Sequence, residues 1–190
     1  ILYSTVEPRS TPPGWQANND LTQLRFYASG TTRIDPILET NIGGIYGWWG
    51  TNFSFSPEGS RLAFARPDSI GLIDLKTDKT TTIADIIPLQ TRSDWAWVPG
   101  MGWSPDGEFL YFVNHAPLST LSNNESSPMF NLDVLIPGGA SYSLVQQTGM
   151  FTYPVPSPEQ GKNRYQIAYL QAFFPEQSEN SRYRLMVMDR

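Results

Sequence analysis

A short turn pattern that recurs along this chain is the feature that most constrains its fold. The pattern reads Phe-Ser-Pro-Glu-Gly at 55–59, Trp-Ser-Pro-Asp-Gly at 103–107 and, more loosely, Pro-Ser-Pro-Glu-Gln-Gly at 156–161. The central prolines, Pro57, Pro105 and Pro158, lie 48 and 53 residues apart. Self-similarity at such a period predicts a repeat architecture in which each copy is one supersecondary unit.

Each copy has the chemistry of a tight turn. Proline pre-sets φ at the first central position, the acidic side chain can bond the backbone ahead of it, and glycine accepts a positive φ. An alternating apolar run follows each copy, so the unit is predicted to be strand, tight turn, strand. The residues predicted to build these Ser-Pro turns are Pro57, Gly59, Pro105, Asp106, Gly107, Pro158 and Gly161.

The spacing of apolar runs predicts an all-β chain, because no window keeps an apolar period of 3.6 residues. Each unit has four strands, A to D, and the Ser-Pro turn joins A to B. We therefore predict a β-propeller fragment of four-stranded antiparallel blades, two complete and two partial. The blades of this single domain are predicted at about 1–38 (partial), 48–84, 98–146 and 150–190 (partial). A β-sandwich is the alternative, but it gives no reason to repeat one turn sequence at one strand junction.

The chain ends interrupt this pattern, and we expect both to be cuts within a longer propeller. The first unit begins with a predicted strand over 1–6 and a loop over 7–20, and it lacks an A strand. Two further long loops are predicted over 85–98 and 115–129.

The composition narrows the classes of partner and location. A net charge of −5 with scattered Lys and Arg argues against nucleic acid, which needs clustered basic residues. No apolar run approaches the ~18 residues that a membrane span requires. The absence of cysteine excludes disulfides and thiolate chemistry, and it is compatible with a periplasmic or extracellular location.

The inventory of catalytic side chains is poor. His115 is the chain's one histidine, and we expect it to be a solvated loop residue rather than a general base. No Gly-x-Ser-x-Gly nucleophile motif is present, and dispersed carboxylates make a poor metal site. We therefore predict no catalytic residue, no metal site and no cofactor within this chain.

Aromatic side chains are the best candidates for binding. In an up-and-down blade the A-to-B and C-to-D turns share one face, and the B-to-C and D-to-A loops share the other. All the long loops fall on the second face, and a rigid scaffold often presents binding residues on such loops. The candidate binding residues there are Trp15, Trp48, Trp49, Trp95, Trp97 and His115. The alternative is that some of these tryptophans pack between blades.

The repeat resembles those of the TolB-like β-propeller proteins, whose repeats combine Ser-Pro-Asp-Gly turns with strands of the Leu-Ala-Phe kind. The matching segments are 55–59 with 62–64, 103–107 with 110–112, and the strand end 185–190. The third turn departs through the inserted Gln160. The resemblance implies a non-catalytic scaffold that binds a protein or peptide in the bacterial cell envelope, either secreted or lipid-anchored.

Two other functions stay open from the sequence. Related repeats build the propeller domains of prolyl oligopeptidases and dipeptidyl peptidases, whose hydrolase domain would lie outside these residues. Exposed tryptophans also suit a glycan-binding propeller.

Overall fold

The structure is a computed structural model, and it describes residues 1–10, 14–39, 50–91, 95–159 and 164–190. Strands dominate these residues. They form four sheets in chain order and one separate hairpin, and every strand pair is antiparallel. The prediction of an all-β chain is confirmed.

The first sheet has three strands and carries the hairpin as an insertion. Its strand order is β1-β4-β5, while β2 pairs with β3. The bounds are β1 (Leu2–Tyr3), β2 (Val6–Pro8), β3 (Trp15–Ala17), β4 (Leu21–Phe26) and β5 (Thr32–Leu38).

This start differs from the prediction of one strand over 1–6 followed by a loop. The chain bends at Ser4 and Thr5 because the carboxylate of Asp20 accepts the Thr5 amide at 2.7 Å and both hydroxyls. The bend separates β1 from β2, and β2 then folds back on β3. The segment 7–20 that was predicted to be a loop therefore contains nearly all of this hairpin.

The second and third sheets each have four strands in chain order. The second contains β6 (Asn52–Phe55), β7 (Arg61–Arg66), β8 (Ser69–Asp74) and β9 (Lys79–Asp85). The third contains β10 (Met101–Trp103), β11 (Leu110–His115), β12 (Phe130–Leu135) and β13 (Ser141–Val145).

The fourth sheet has three strands and contributes a long loop. Its strands are β14 (Val155–Pro156), β15 (Gln166–Ala172) and β16 (Tyr183–Asp189). Short 3-10 turns lie in the β11–β12 loop (Asn124–Ser126) and in the β15–β16 loop (Pro175–Gln177).

The sheets are arranged as blades. The first strands of successive sheets contact one another, β6 with β10 and β10 with β14, while β5 contacts β9. Up-and-down sheets that meet through their first strands are the blades of a β-propeller. The predicted fold class is thus confirmed, with two four-stranded blades between two three-stranded ones.

Apolar side chains fill the spaces between the blades. Strand β11 contributes to two of these spaces, because successive residues of a strand point to opposite faces of the sheet. Phe112 lies in the cluster shared with the second blade, and Tyr111 lies in the cluster shared with the fourth. Both side chains are almost fully buried. The third blade is therefore apolar on both faces, as packing within a ring of blades requires.

The outer face of the fourth blade is also apolar. Val155, Ala168 and Val187 form one cross-strand row, and Leu170 pairs with Leu185 beside it. The side chains of Val155, Leu185 and Val187 are exposed. This face has the composition of the faces that are buried between blades.

The Ser-Pro turns have the predicted geometry where the structure describes them. Gly59 and Gly107 have φ of 70° and 73°, which confirms the positive φ expected of both. The amide of each glycine donates to the serine carbonyl three residues earlier. In the third turn Ser157 accepts the Gln166 amide, whereas Gly161 lies outside the described residues.

The serine hydroxyls close the first two turns. Ser56 Oγ accepts the Arg61 amide at 3.0 Å, and Ser104 Oγ accepts the Phe109 amide at 2.9 Å. Asp106 additionally accepts the amide of Glu108 at 2.9 Å. The acid and the serine thus satisfy the turn backbone, as the pattern predicts.

Candidate functional site

A cleft of about 400 Å³ opens where four connecting segments meet on the face that carries the long loops. The face that carries the long loops is called the long-loop face. The face that carries the Ser-Pro turns is called the short-turn face. The segments are the β9–β10 loop, the β11–β12 loop, the β13–β14 connection and the β15–β16 loop. The resulting loop cleft lies between the third and fourth blades.

The lining of the loop cleft combines an apolar part with a polar part. The apolar members are Leu89, Trp95, Pro128, Phe130 and Met150. The polar members are Gln90, Thr91, Ser126, Ser127, Glu176, Gln177, Ser178, Glu179 and Asn180. Polar residues thus outnumber apolar ones in the lining, which suits a ligand that carries many hydrogen-bonding groups.

Trp95 forms part of the wall of the cleft. Its side chain is half-buried and packs on the core cluster shared by the second and third blades. Its carbonyl accepts the hydroxyl of Thr91, which holds the loop at this point. One part of the indole is thus anchored while another part faces the cleft, as expected of a binding aromatic.

His115 lies beneath the loops and corrects the expectation of a solvated side chain. It ends strand β11 and is only 1% exposed. Its Nδ1 lies 2.7 Å from the carbonyl oxygen of Ile87, and its Nε2 lies 2.7 Å from that of Ser127. A neutral imidazole donates to one of these carbonyls, and a protonated imidazole donates to both. Either way, His115 links two of the loops that form the cleft.

Trp97 is likewise buried, at 4% exposure. Its indole N–H donates to the carbonyl of Met150 at 2.8 Å, and its ring meets Phe130 edge-on at 4.9 Å. Met150 and Phe130 both line the cleft. Trp97 therefore supports the cleft from below, consistent with the alternative that this tryptophan packs between blades.

The loops are also bonded directly to each other. The amide of Gln90 donates to the carbonyl of Glu125 at 2.7 Å, and the Asn123 side chain donates to Gln90 Oε1 at 3.2 Å. At the base of the β11–β12 loop the amide of Ala116 donates to the carbonyl of Met129. The cleft is thus held by hydrogen bonds between loops.

The other candidate tryptophans have different positions. Trp15 lies in β3, is 41% exposed and is not among the residues that line the loop cleft. Trp48 and Trp49 lie outside the described residues. The structure therefore brings together Trp95, Trp97 and His115 from the predicted set.

The β15–β16 loop contributes cleft residues that the sequence analysis missed. Glu176, Gln177, Glu179 and Asn180 come from this loop, and all four are exposed. Its length of ten residues between two strands was a usable signal.

Among the described residues, no group of three or more His, Asp or Glu side chains is close enough to hold a metal ion. Within the same ranges, no helix has the length and apolarity needed to cross a membrane.

Comparisons with known proteins give structural similarity without a family assignment. No family model matches the sequence, and no curated protein matches it. Among solved structures, a prolyl endopeptidase aligns with 96% of this chain at 14% identity and a TM-score of 0.49. A protein assigned as TolB from Agrobacterium tumefaciens aligns with 94% of it at 14% identity and a TM-score of 0.43. The chain spans 29% of the first protein and 59% of the second.

Proposed function

We propose that this chain is a non-catalytic β-propeller module of the TolB-like kind that binds a protein or peptide at the loop cleft. The observation that carries the proposal is the convergence of four connecting segments on one cleft beside the half-buried Trp95. Loops positioned by a rigid scaffold are where binding residues concentrate. Tryptophan is among the side chains that most often anchor such contacts.

The short-turn face is less suited to a partner. Its polar groups bond within the turns and between them: Arg61 contacts Glu58 at 3.0 Å and donates to the carbonyl of Gly107 at 2.8 Å. The Arg61 guanidinium also lies 4.9 Å from the ring of Trp103. Groups engaged in this way hold neighbouring blades together.

The buried state of His115 supports the non-catalytic part of the proposal. A general base must reach the proton that it abstracts. The ring of this one histidine instead contacts two backbone carbonyls and stacks on Phe130 at 4.9 Å. The proposed site of action is the periplasm or the cell exterior, on the basis of the TolB-like repeats and the lack of cysteine.

The experiment is to select peptides on the chain from a phage-displayed random library and to titrate them calorimetrically. We expect Trp95→Ala to weaken the selected peptides by about 2 kcal/mol, roughly 30-fold, as truncation of a central aromatic anchor does. Phe55→Ala is the matched control, because this exposed aromatic precedes the first Ser-Pro turn on the opposite face.

Because Trp95 also packs on the core, its variant is checked by near-UV circular dichroism and thermal unfolding. Trp95→Phe, which keeps an aromatic ring, should retain most of the affinity. Equal losses from Trp95→Ala and Phe55→Ala would overturn the assignment of the binding face, as would a library that yields no peptide.

A further inference from the structure

The last strand of the fourth blade, β16, has a free edge. It pairs with β15 in seven consecutive residue pairs, from Gln166–Asp189 to Ala172–Tyr183, without a register shift. Among the described residues no strand lies on its other side, whereas β9 and β13 fill the equivalent position in the two four-stranded blades. Strand β16 therefore presents a row of backbone groups that its own sheet does not use.

Two hydrogen bonds beyond the ends of the ladder show which groups these are. The amide of Phe173 donates to the carbonyl of Arg182 at 2.9 Å, and the amide of Arg190 donates to the carbonyl of Tyr165 at 3.0 Å. Because bonding alternates along an antiparallel strand, the even-numbered residues of β16 bond to β15 and the odd-numbered ones face the free edge. The residues whose N–H and C=O face the free edge are Tyr183, Leu185, Val187 and Asp189.

The other three sheets end in strands that are protected against further pairing. Proteins protect such edges with bulges, prolines and exposed polar residues. The pairings β4–β5, β8–β9 and β12–β13 each contain a register shift. Strand β5 also contains Pro36, and β9 begins with the exposed polar run 79–82. Strand β16 has a continuous register and the uninterrupted apolar run 185–188, so it is the edge best shaped to accept another strand.

The charge around this edge is opposite to that of the chain as a whole. Residues 182–190 contain three arginines and one aspartate, while the chain has a net charge of −5. Arg184 donates to Gln171 Oε1 at 3.4 Å, and its guanidinium lies 5.6 Å from the Phe173 ring. No ion pair joins these three arginines to a described residue. An acidic side chain directly opposite Arg184 on an added strand would share its face and pair with it.

A second copy of this chain fits the edge less well. Antiparallel pairing of the full length of β16 with itself would be centred on Met186, and it would place Arg182 of one copy opposite Arg190 of the other. Like charges directly opposite each other destabilise a strand pair. The charge pattern therefore favours a partner strand of different sequence.

We propose that β16 binds an extended segment of a partner protein, which adds to the fourth blade as an antiparallel strand. The segment carries apolar side chains opposite Leu185 and Val187, both of which are exposed, and an acidic side chain opposite Arg184. In this mode of recognition the main-chain hydrogen bonds supply affinity, and alternate side chains supply specificity. The site is separate from the loop cleft, so the two sites are tested independently.

The probe is the acetylated, amidated heptapeptide Thr-Thr-Val-Thr-Val-Glu-Thr, whose valines lie opposite Val187 and Leu185 and whose glutamate lies opposite Arg184. Amide hydrogen exchange of the isotope-labelled chain is followed by NMR. We expect exchange at Leu185 and Val187 to slow about tenfold when about nine-tenths of the chain is occupied. The amide of Met186 already bonds to β15, so its exchange should change little and serves as the internal control.

Two N-methylated peptides test the register of the added strand. Methylation of the first valine removes an N–H that faces β16, and we expect it to weaken binding about fivefold. Methylation of the threonine between the valines removes an N–H that faces away, and affinity should change less than twofold. The chain variant Val187→Pro should likewise weaken binding, because it removes an edge N–H and leaves the ladder with β15 intact.

The charge is tested by a cycle of two substitutions. Replacing the peptide's glutamate with glutamine should weaken binding about threefold, the effect of one exposed ion pair. With the chain variant Arg184→Gln, the two peptides should bind equally. A preference for glutamate that persists in this variant would overturn the pairing with Arg184.

The other outcomes also decide the proposal. Equal losses from the two N-methylated peptides would overturn it, as would unchanged exchange at Leu185 and Val187. Slow exchange of these two amides in the chain alone would show that the edge is already covered, and a mass of two copies in light scattering would identify a second copy as the occupant. Trp95→Ala should leave the affinity for the heptapeptide unchanged within about twofold, because additivity holds for distant sites. A larger loss would place the heptapeptide at the loop cleft and overturn the edge site, while the library selection tests the proposed function separately.

Discussion

The two faces of this propeller are held together in different ways. On the short-turn face the main bonds are local: Ser56 bonds Arg61, and Ser104 bonds Phe109, each across five residues. On the long-loop face the bonds are remote in sequence. His115 reaches Ile87 across 28 residues, and Trp97 reaches Met150 across 53.

This difference explains why one face suits structure and the other suits binding. A turn closed mainly by its own residues keeps its shape with few bonds to a neighbouring blade, such as that of Arg61 to the Gly107 carbonyl, and it presents few free groups. Loops held by distant partners take a shape set by several blades at once, and small changes in one segment alter the cleft that they share. The three predictions below test this contrast, starting with the largest expected effect.

Replacing His115 with phenylalanine should have the largest effect on stability. The variant keeps a ring to stack on Phe130 but removes both ring nitrogens, so at least one of the carbonyls of Ile87 and Ser127 loses its donor. We expect a loss of about 2 kcal/mol, since an unsatisfied buried polar group costs roughly 1–3 kcal/mol. Denaturant unfolding at neutral pH measures this loss.

The matched control on the short-turn face is Ser104→Ala, which removes the hydroxyl that closes the second Ser-Pro turn. We expect a loss of about 1 kcal/mol, the usual net contribution of one hydrogen bond. If the serine variant lost as much stability as the histidine variant, the contrast between the two faces would be wrong.

Alanine substitutions at Gly59 and Gly107 distinguish the cost of local backbone strain from the cost of disturbing the contact between two blades. Both have positive φ, so alanine should destabilise each by about 1 kcal/mol. At Gly107 an added Cβ would also lie 2.7 Å from Glu58 Oε2 in the neighbouring turn, whereas at Gly59 it would meet nothing within 4 Å. Gly107→Ala should therefore cost more than Gly59→Ala in thermal or denaturant unfolding. Equal costs would show that Glu58 moves aside freely.

The smallest predicted effect is a dependence of stability on pH at the first Ser-Pro turn. Burial alone would raise the pKa of Glu58, but hydrogen bonds from its own amide, Ser56, Arg61 and Ser60 lower this pKa from 4.5 to about 2. A lowered pKa in the folded state adds stability above pH 4.5, and this contribution disappears as the pH falls through about 2.

Because the Glu58 side chain is 42% exposed, solvent screening keeps the contribution under about 1 kcal/mol. Glu58→Gln should thus be less stable than the parent at pH 6, and the difference should vanish near pH 2. Chemical unfolding at both values measures it. A difference that stays constant with pH would assign the effect to lost packing rather than to charge.

A large part of the fold was predictable from the sequence. The Ser-Pro turns, the four-stranded units and the predominance of strands in the described residues follow from proline, glycine and alternating apolar residues, whose effects act within a few positions. The positive φ of Gly59 and Gly107 follows from the same local chemistry. The bend at Ser4 and Thr5 does not, since it depends on Asp20.

The candidate site, like the fold, was only partly predictable from the sequence. The sequence predicted that the long-loop face carries Trp15, Trp48, Trp49, Trp95, Trp97 and His115, because strand order alone decides which connections share a face. Tertiary structure decided that His115 and Trp97 are buried supports while Trp95 reaches the loop cleft. It also brought Glu176 and Glu179 to the same cleft from a loop about 80 residues further along the chain than Trp95. Burial and convergence depend on contacts between blades, and no local pattern of residues encodes those contacts.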